Sequence, residues 1–203
     1  MRYSLSAILC VSALVLCGTS QSLERSSYVG LDGKLIKSNA RSCGLQYKNN
    51  KYGVRPFFGF KVTDNLAIEA AHEWSASGAF RQTKEGVNVS ASATTALLAA
   101  VFEKPVPMFP TAKWFAAGGV AHTKIRTCES GSHKRIIGYG KATRVVPIAT
   151  VGLKKDLGYG LSVRGFFDWK GTNNMRIKHA RFPEKFHTFK HTFGVGMGVS
   201  QEF

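Results

Sequence analysis

The chain has 203 residues, with 28 Lys+Arg against 12 Asp+Glu for a formal charge of +16, 21 Gly, 14 Phe and four Cys. An apolar fraction of 44% excludes wholesale disorder, and the length admits one domain or two small ones. Beyond residue 20 no apolar run approaches the roughly 18 residues that a membrane-spanning helix needs, so a polytopic helical membrane protein is excluded.

The first segment reads as an address. Met1-Arg2 is a short positive start, Leu5 to Cys17 is apolar, and Gly18 to Ser22 is small and polar. This is the pattern of a secretory signal peptide, assigned to residues 1–22, with cleavage after Ser20 or Ser22. A lipoprotein needs a small residue before the modified Cys; Leu9 and Leu16 precede Cys10 and Cys17 instead. The apolar stretch is also too short for an anchor helix. Export leaves Cys43 and Cys128, which an oxidising compartment would allow to pair, although two Cys are not a disulfide scaffold.

Past the signal, alternation dominates. Tyr28 to Ile36 puts Val29, Leu31 and Leu35 on one face, opposite Gly30, Asp32 and Lys34. Gly53 to Val62 sets Val54, Pro56, Phe58, Phe60 and Val62 against Arg55, Phe57, Gly59 and Lys61. After a turn at Thr63-Asp64-Asn65, Leu66 to Trp74 repeats the pattern with Glu69 and Glu73 on the polar side. Val87 to Phe102 is a Ser/Thr/Ala-rich strand of unassigned phase, followed by the three-proline connection Lys104–Thr111. Ala112 to Lys124 alternates again, with Trp114 and Val120 opposite Lys113 and Phe115. Arg144–Lys154 and Tyr159–Trp169 form a hairpin around Lys155-Asp156-Leu157-Gly158. Thr188 to Phe203 closes the set, with Phe189, His191, Phe193 and Val195 assigned to one face and Lys190, Gly194, Gly196 and Gly198 to the other.

These eight strands are mostly about 9–13 residues long, near the length that crosses a bilayer when tilted. Connections at 63, 104 and 155 are short; those at 37–52, 75–86, 125–143 and 170–187 are long, as in outer-membrane barrels. An even strand number places both ends on the short-turn side. In the assigned strands the large apolar phase carries no Lys, Arg, Asp or Glu, and a Lys or Arg facing lipid at mid-membrane costs roughly 2–4 kcal/mol. The other phase is rich in Gly, Ala and Phe as well as charge. That mixture suits the packed interior of a narrow barrel better than the watered face of a soluble sandwich.

The sequence resembles the small eight-stranded outer-membrane barrels of Gram-negative bacteria, the opacity-protein and OmpA-like transmembrane class. The resemblance rests on Tyr28–Gly33 as opening strand, Phe58–Glu69 as second hairpin, glycine-rich Trp114–Ala121 and closing Gly194–Phe203. Gln201 departs from it, standing where such strands often carry another aromatic. The resemblance implies an all-β, eight-stranded antiparallel up-and-down transmembrane barrel over residues 23–203, in the bacterial outer membrane. It implies Phe203 as the aromatic read by the barrel-assembly machinery. Because the chain ends with the barrel, no cell-wall-anchoring domain is expected.

Inward charges in a narrow lumen must pair or stay wet. Arg55, Lys61, Glu69, Glu73, Arg164 and Asp168 are the candidate lumen ion pairs, with Arg55 or Lys61 expected to meet Glu69 or Glu73 across their hairpin. They read as a plug of salt bridges, with a gate or ion path as the alternative. The long loops are basic, and Lys134, Arg135, Arg176, Lys178, Arg181 and Lys185 are the candidate polyanion-binding residues. The expected partners are outer-membrane lipid and lipopolysaccharide, and host surface glycans or proteins, but not nucleic acid. Cys43 and Cys128, assigned to loops at one end, are a candidate disulfide. No cofactor, metal or catalytic set is expected: alternation puts His72 and Glu73 on opposite faces, and the remaining histidines lack a neighbouring Ser–Asn or Ser–Asp pattern. The expected role is therefore non-enzymatic, structural or adhesin-type. A narrow pore and a lipid-modifying enzyme are the alternatives.

Overall fold

The structure, a computed structural model, describes residues 26–42, 45–81, 88–130, 136–172, 175–178 and 186–203. The segment read as a signal peptide lies outside them. The strands are β1 (Ser27–Ser42), β2 (Leu45–Thr63), β3 (Leu66–Arg81), β4 (Asn88–Val106), β5 (Phe109–Ser130), β6 (Ile136–Gly158), β7 (Leu161–Lys170), β8 (Met175–Lys178) and β9 (Phe186–Glu202). Each pairs antiparallel with its neighbour, and β1 pairs with β9, so the sheet closes on itself. β7 and β8 both pair with β9, at Lys170–Thr192 and at Met175–Phe189. They share one wall position, and the barrel has eight. Closure removes the free edges that an open sheet would expose.

Residue chemistry sets the turns. The Thr63 hydroxyl accepts the Leu66 amide at 3.1 Å and closes the short β2–β3 turn. At the short β6–β7 turn, Gly158, Tyr159 and Gly160 have φ of 96°, 53° and 74°. Two glycines take the left-handed positions that cost other residues most. This turn lies just beyond the 155–158 segment expected from sequence. The start of β1 and the end of β9 meet at this terminal end of the barrel, where Ser27 and Phe203 exchange backbone hydrogen bonds of 3.1 and 2.9 Å.

At the opposite end the strands run further than their composition suggested. β1 continues to Ser42 and β2 starts at Leu45, so most of 37–52 is ladder and not loop. β5 and β6 likewise extend through most of 125–143. Polar residues are tolerated in these stretches because the strands have already passed the apolar belt. Backbone pairing continues there without needing an apolar face.

Outward positions form that belt: Leu66, Ile68, Ala70, His72 and Trp74 on β3, and Leu161, Val163, Gly165, Phe167 and Trp169 on β7. Eight residue steps from Leu66 to Trp74 cover about 26 Å along the strand, or about 20 Å of height at a tilt of about 40°. Phe102 packs on Trp114 at the lower border, with ring centroids 5.6 Å apart. Between the borders, the described outward positions carry no charge. The phase of β4 is now assigned: Leu97, Ala99 and Val101 face in, and Leu98, Ala100 and Phe102 face out.

One assigned face changes. Phe189 points inward, not outward with Phe193. Thr192 pairs with Ser38 and Phe189 with Ala40, which leaves Lys190 and His191 opposite the single residue Asn39. Such a bulge inverts the alternation beyond it.

Candidate functional site

The lumen is divided lengthwise. Its β4–β6 side is apolar, built from Leu97, Ala99, Ala121, Val146 and Ile148. Its β1–β3 and β7 side is ionic. Tyr28, Phe57, Phe115 and Phe166 fill the end near the termini. The rings of Tyr28 and Phe57 lie where a Cβ on Gly59 and Gly30 would sit, so glycine there admits the aromatics.

The ionic side is a single chain of alternating charge. Glu69 meets Arg164 (2.8 Å), which donates to Asp32 through Nε (2.9 Å) and an η nitrogen (2.7 Å). Asp32 also accepts from Arg55 at 2.6 and 2.7 Å, and Arg55 lies 3.8 Å from Asp168. Asp168 pairs with Lys34, Lys34 with Glu73 (2.5 Å), and Glu73 with Lys170 (2.5 Å). Four acids and four bases therefore balance, and none of the eight residues is more than 7% exposed. Arg164 also lies 3.7 Å from the centre of the Phe57 ring, and Arg55 lies 4.7 Å from that of Phe166. The glycines of β9 make room for the carboxylates: Asp32 lies over Gly198 and Asp168 over Gly194.

Two expected pairings differ from the structure. Arg55 reaches across the β1–β2 ladder to Asp32, its registered partner, and not to Glu69 or Glu73. Lys61 sits at the rim and pairs with Glu202 beside the chain ends. Two more rim pairs, Lys113–Asp156 and Lys154–Glu103, are each 3.2 Å long. Lys170 was assigned to a loop, although it continues the inward phase of β7 after Arg164 and Asp168. Extending that alternation by two residues would have found it.

Toward the far end, Ala91, Ile125, Met175, Ile177 and Phe189 form an apolar cap above the ionic chain. Met175 and Ile177 come from β8, within the segment read as loop. The same strand presents Arg176 and Lys178 outward and exposed. Lys134, Arg135, Arg181 and Lys185 lie outside the described residues.

On the outer wall, Lys124 and Arg126 of β5 and Lys141 of β6 project beside these β8 cations, above the belt. Lys141, and then Arg126, push the Lys124 ammonium below its usual range by like-charge repulsion. Apart from Glu129 near the far end of β5, the described acidic residues lie in the lumen or at the end holding the termini. Cations, by contrast, stand at both ends, with Lys104 and Lys155 exposed beside the short turns.

Cys128 is a free, half-buried thiol on β5, and Cys43 lies outside the described residues. Cys128 occupies an outward phase, and β5 stands four wall positions from β1, diametrically opposite in this ring. The expected pairing of Cys43 with Cys128 falls outside the described residues. His72 lies on the outer face against Trp74 (4.5 Å), while Glu73 is buried between two lysines. Ser75 Oγ is engaged with the Ala93 backbone. Phe203 is exposed at the terminal rim.

Neither a protein-family model nor a curated protein sequence matches the chain. Among solved structures it is similar to Neisserial surface protein A, NspA, with a TM-score of 0.62 at 10% identity over 87% of this chain and 97% of that one. It is similar to Ail, the attachment invasion locus protein of Yersinia pestis, with a TM-score of 0.54 at 10% identity over 89% and 100%. The outer membrane protein OprG of Pseudomonas aeruginosa gives 0.53 at 10% identity over 88% and 95%. The chain has the fold of the small eight-stranded outer-membrane barrels.

Proposed function

We propose that this chain is a non-enzymatic outer-membrane barrel that binds polyanionic glycans through the cations at the end remote from its termini. The observation that carries the reading is the cluster of outward cations on the wall at that end. The lumen acids are neutralised inside, while Lys124, Arg126, Lys141, Arg176 and Lys178 project from the outer wall without an ion pair to any described acidic side chain. A basic end of this kind raises the local concentration of anions. The structure of Ail in complex with the heparin analogue sucrose octasulfate supplies the ligand chemistry, which we carry to this chain as part of the proposal. Export by the 1–22 segment and assembly through Phe203 belong to the same reading.

A paired lumen with an apolar cap argues for a structural plug over a conducting path. The test is retention of the folded, detergent-solubilised mature protein on immobilised heparin. Folding is checked first by the difference in gel migration between unboiled and boiled samples. Neutralising Arg176 and Lys178 together with Lys134, Arg135, Arg181 and Lys185 should lower the salt concentration needed for elution. Elution unchanged from the parent protein would sink the reading.

A further inference from the structure

The barrel wall is not laced evenly. The β6–β7 ladder ends at Ile148–Lys170, and Gly171 then donates one hydrogen bond to the Pro147 carbonyl at 3.0 Å. Beyond it, β6 runs on from Val146 back to Ile136 with β5 on one side. On the other side stands β8, whose ladder is with β9. Among the described residues no ladder joins β6 to β8. The two are nonetheless close: a Cβ added to Gly140 would lie 3.3 Å from the Lys178 carbonyl and would overlap the Ile177 side chain. A seam in the wall is therefore held mainly by inward apolar contacts.

Cations line the outer face of that seam. Lys141 follows Gly140 on β6, and Arg176 and Lys178 project outward from β8, because Met175 and Ile177 take the inward phase. Arg126 is registered opposite Lys141, and Lys124 stands two residues below Arg126. Five cations would spread apart in water; here the backbone register holds them together. Lys124 and Lys141, the latter with Tyr139 exposed two residues further along β6, each lie four residues beyond an apolar outward residue of the belt, Val120 and Val145. That is about 13 Å along the strand and about 10 Å in height, the level of lipid headgroups.

We propose that this seam binds the phosphate groups of an outer-leaflet glycolipid, which bridge Lys141 to Arg176 and Lys178 across the gap. The inference rests on the outer-membrane reading proposed above, with the end remote from the termini facing outward, and deepens it. The patch faces sideways and not upward, so it meets a ligand lying in the leaflet before one arriving from solution. Val145 and Pro147 below it offer the acyl chains an apolar surface. Charge-assisted bonds from Lys and Arg to phosphate oxygens are about twice as strong as neutral ones. They would close electrostatically a wall that backbone pairing leaves open.

The test is amide hydrogen exchange of the mature protein in vesicles of phosphatidylcholine alone, with bisphosphorylated lipid A, or with lipid A stripped of phosphate. Bisphosphorylated lipid A should slow exchange at residues 139–146 and 175–178 about tenfold, the scale of one net hydrogen bond. The phosphate-free form should not. The triple variant Lys141→Gln, Arg176→Gln, Lys178→Gln should lose the protection, while Lys37→Gln, on the outer face of β1, should keep it. Equal exchange in all three vesicles overturns the proposal without any variant, and so does protection that persists in the triple variant. Heparin retention of the same preparation separates the two readings. Retention without lipid-dependent protection removes this inference alone; loss of both removes the polyanion reading too.

Discussion

Asp32 is the residue on which the buried charge chain turns. It is 0% exposed and accepts four close contacts from Arg55 and Arg164. Replacing it by Ala leaves the chain one positive charge out of balance. Arg164 keeps Glu69 at 2.8 Å, but Arg55 keeps only Asp168 at 3.8 Å, which Lys34 already engages. Removing one partner from a buried pair costs about 3–5 kcal/mol, because the remaining charge stays desolvated. Asp32→Ala should therefore destabilise by about that amount. Asp32→Asn should recover little, since the amide keeps the shape but not the charge. The double variant Asp32→Ala, Arg55→Met restores neutrality and should cost less than the sum of the singles by about 1–3 kcal/mol. The assay is urea unfolding in lipid vesicles, followed by the loss of the fast-migrating folded band in unboiled gels. A single-variant cost below about 0.5 kcal/mol, or strict additivity in the double, would refute the argument that these groups act as one dry network.

The rim offers a contrast: Lys61→Gln breaks a partly solvated pair with Glu202 and should cost at most about 1 kcal/mol in the same assay. Gly59→Val would drive a side chain into the Tyr28 ring, and should lower stability by about 1–3 kcal/mol through overpacking, read as a shift in the urea midpoint. Leu98→Arg places a cation in the outward belt and should cost about 2–4 kcal/mol on folding into vesicles; a change near zero would contradict a lipid-facing β4 surface. Planar bilayers containing the wild-type protein should show no steady conductance steps, because paired charges and the Ile125, Met175, Ile177 and Phe189 cap fill the lumen.

The barrel itself was legible in the chain because lipid imposes a rule on every other residue. A strand with lipid outside cannot carry charge there, so Val29, Leu31 and Leu35, or Leu161, Val163 and Phe167, announce their face without any neighbour being known. Asp32, Lys34, Glu69, Glu73, Arg164 and Asp168 were placed inside by the same alternation. β4 resisted because Leu97 and Leu98 are equally apolar, so hydropathy cannot separate lumen from lipid on that strand. The far-end strand extensions resisted for a different reason. Above the belt neither face needs to be greasy, and ladder and loop then have the same composition.

What the sequence determined by itself is the sidedness of the belt strands other than β4 and the count of eight wall positions, since both follow from local period and from solvation. Which charges meet was decided only by the tertiary structure. Arg164 reaches Glu69 and Asp32 across the lumen, over sequence separations of 95 and 132 residues, and nothing local records that distance. The bulge that turns Phe189 inward, and the short β8 that sets Arg176 and Lys178 beside Lys141, arise from the geometry of closing the ring. Closure is a property of all eight wall positions together, and no single stretch of chain carries it.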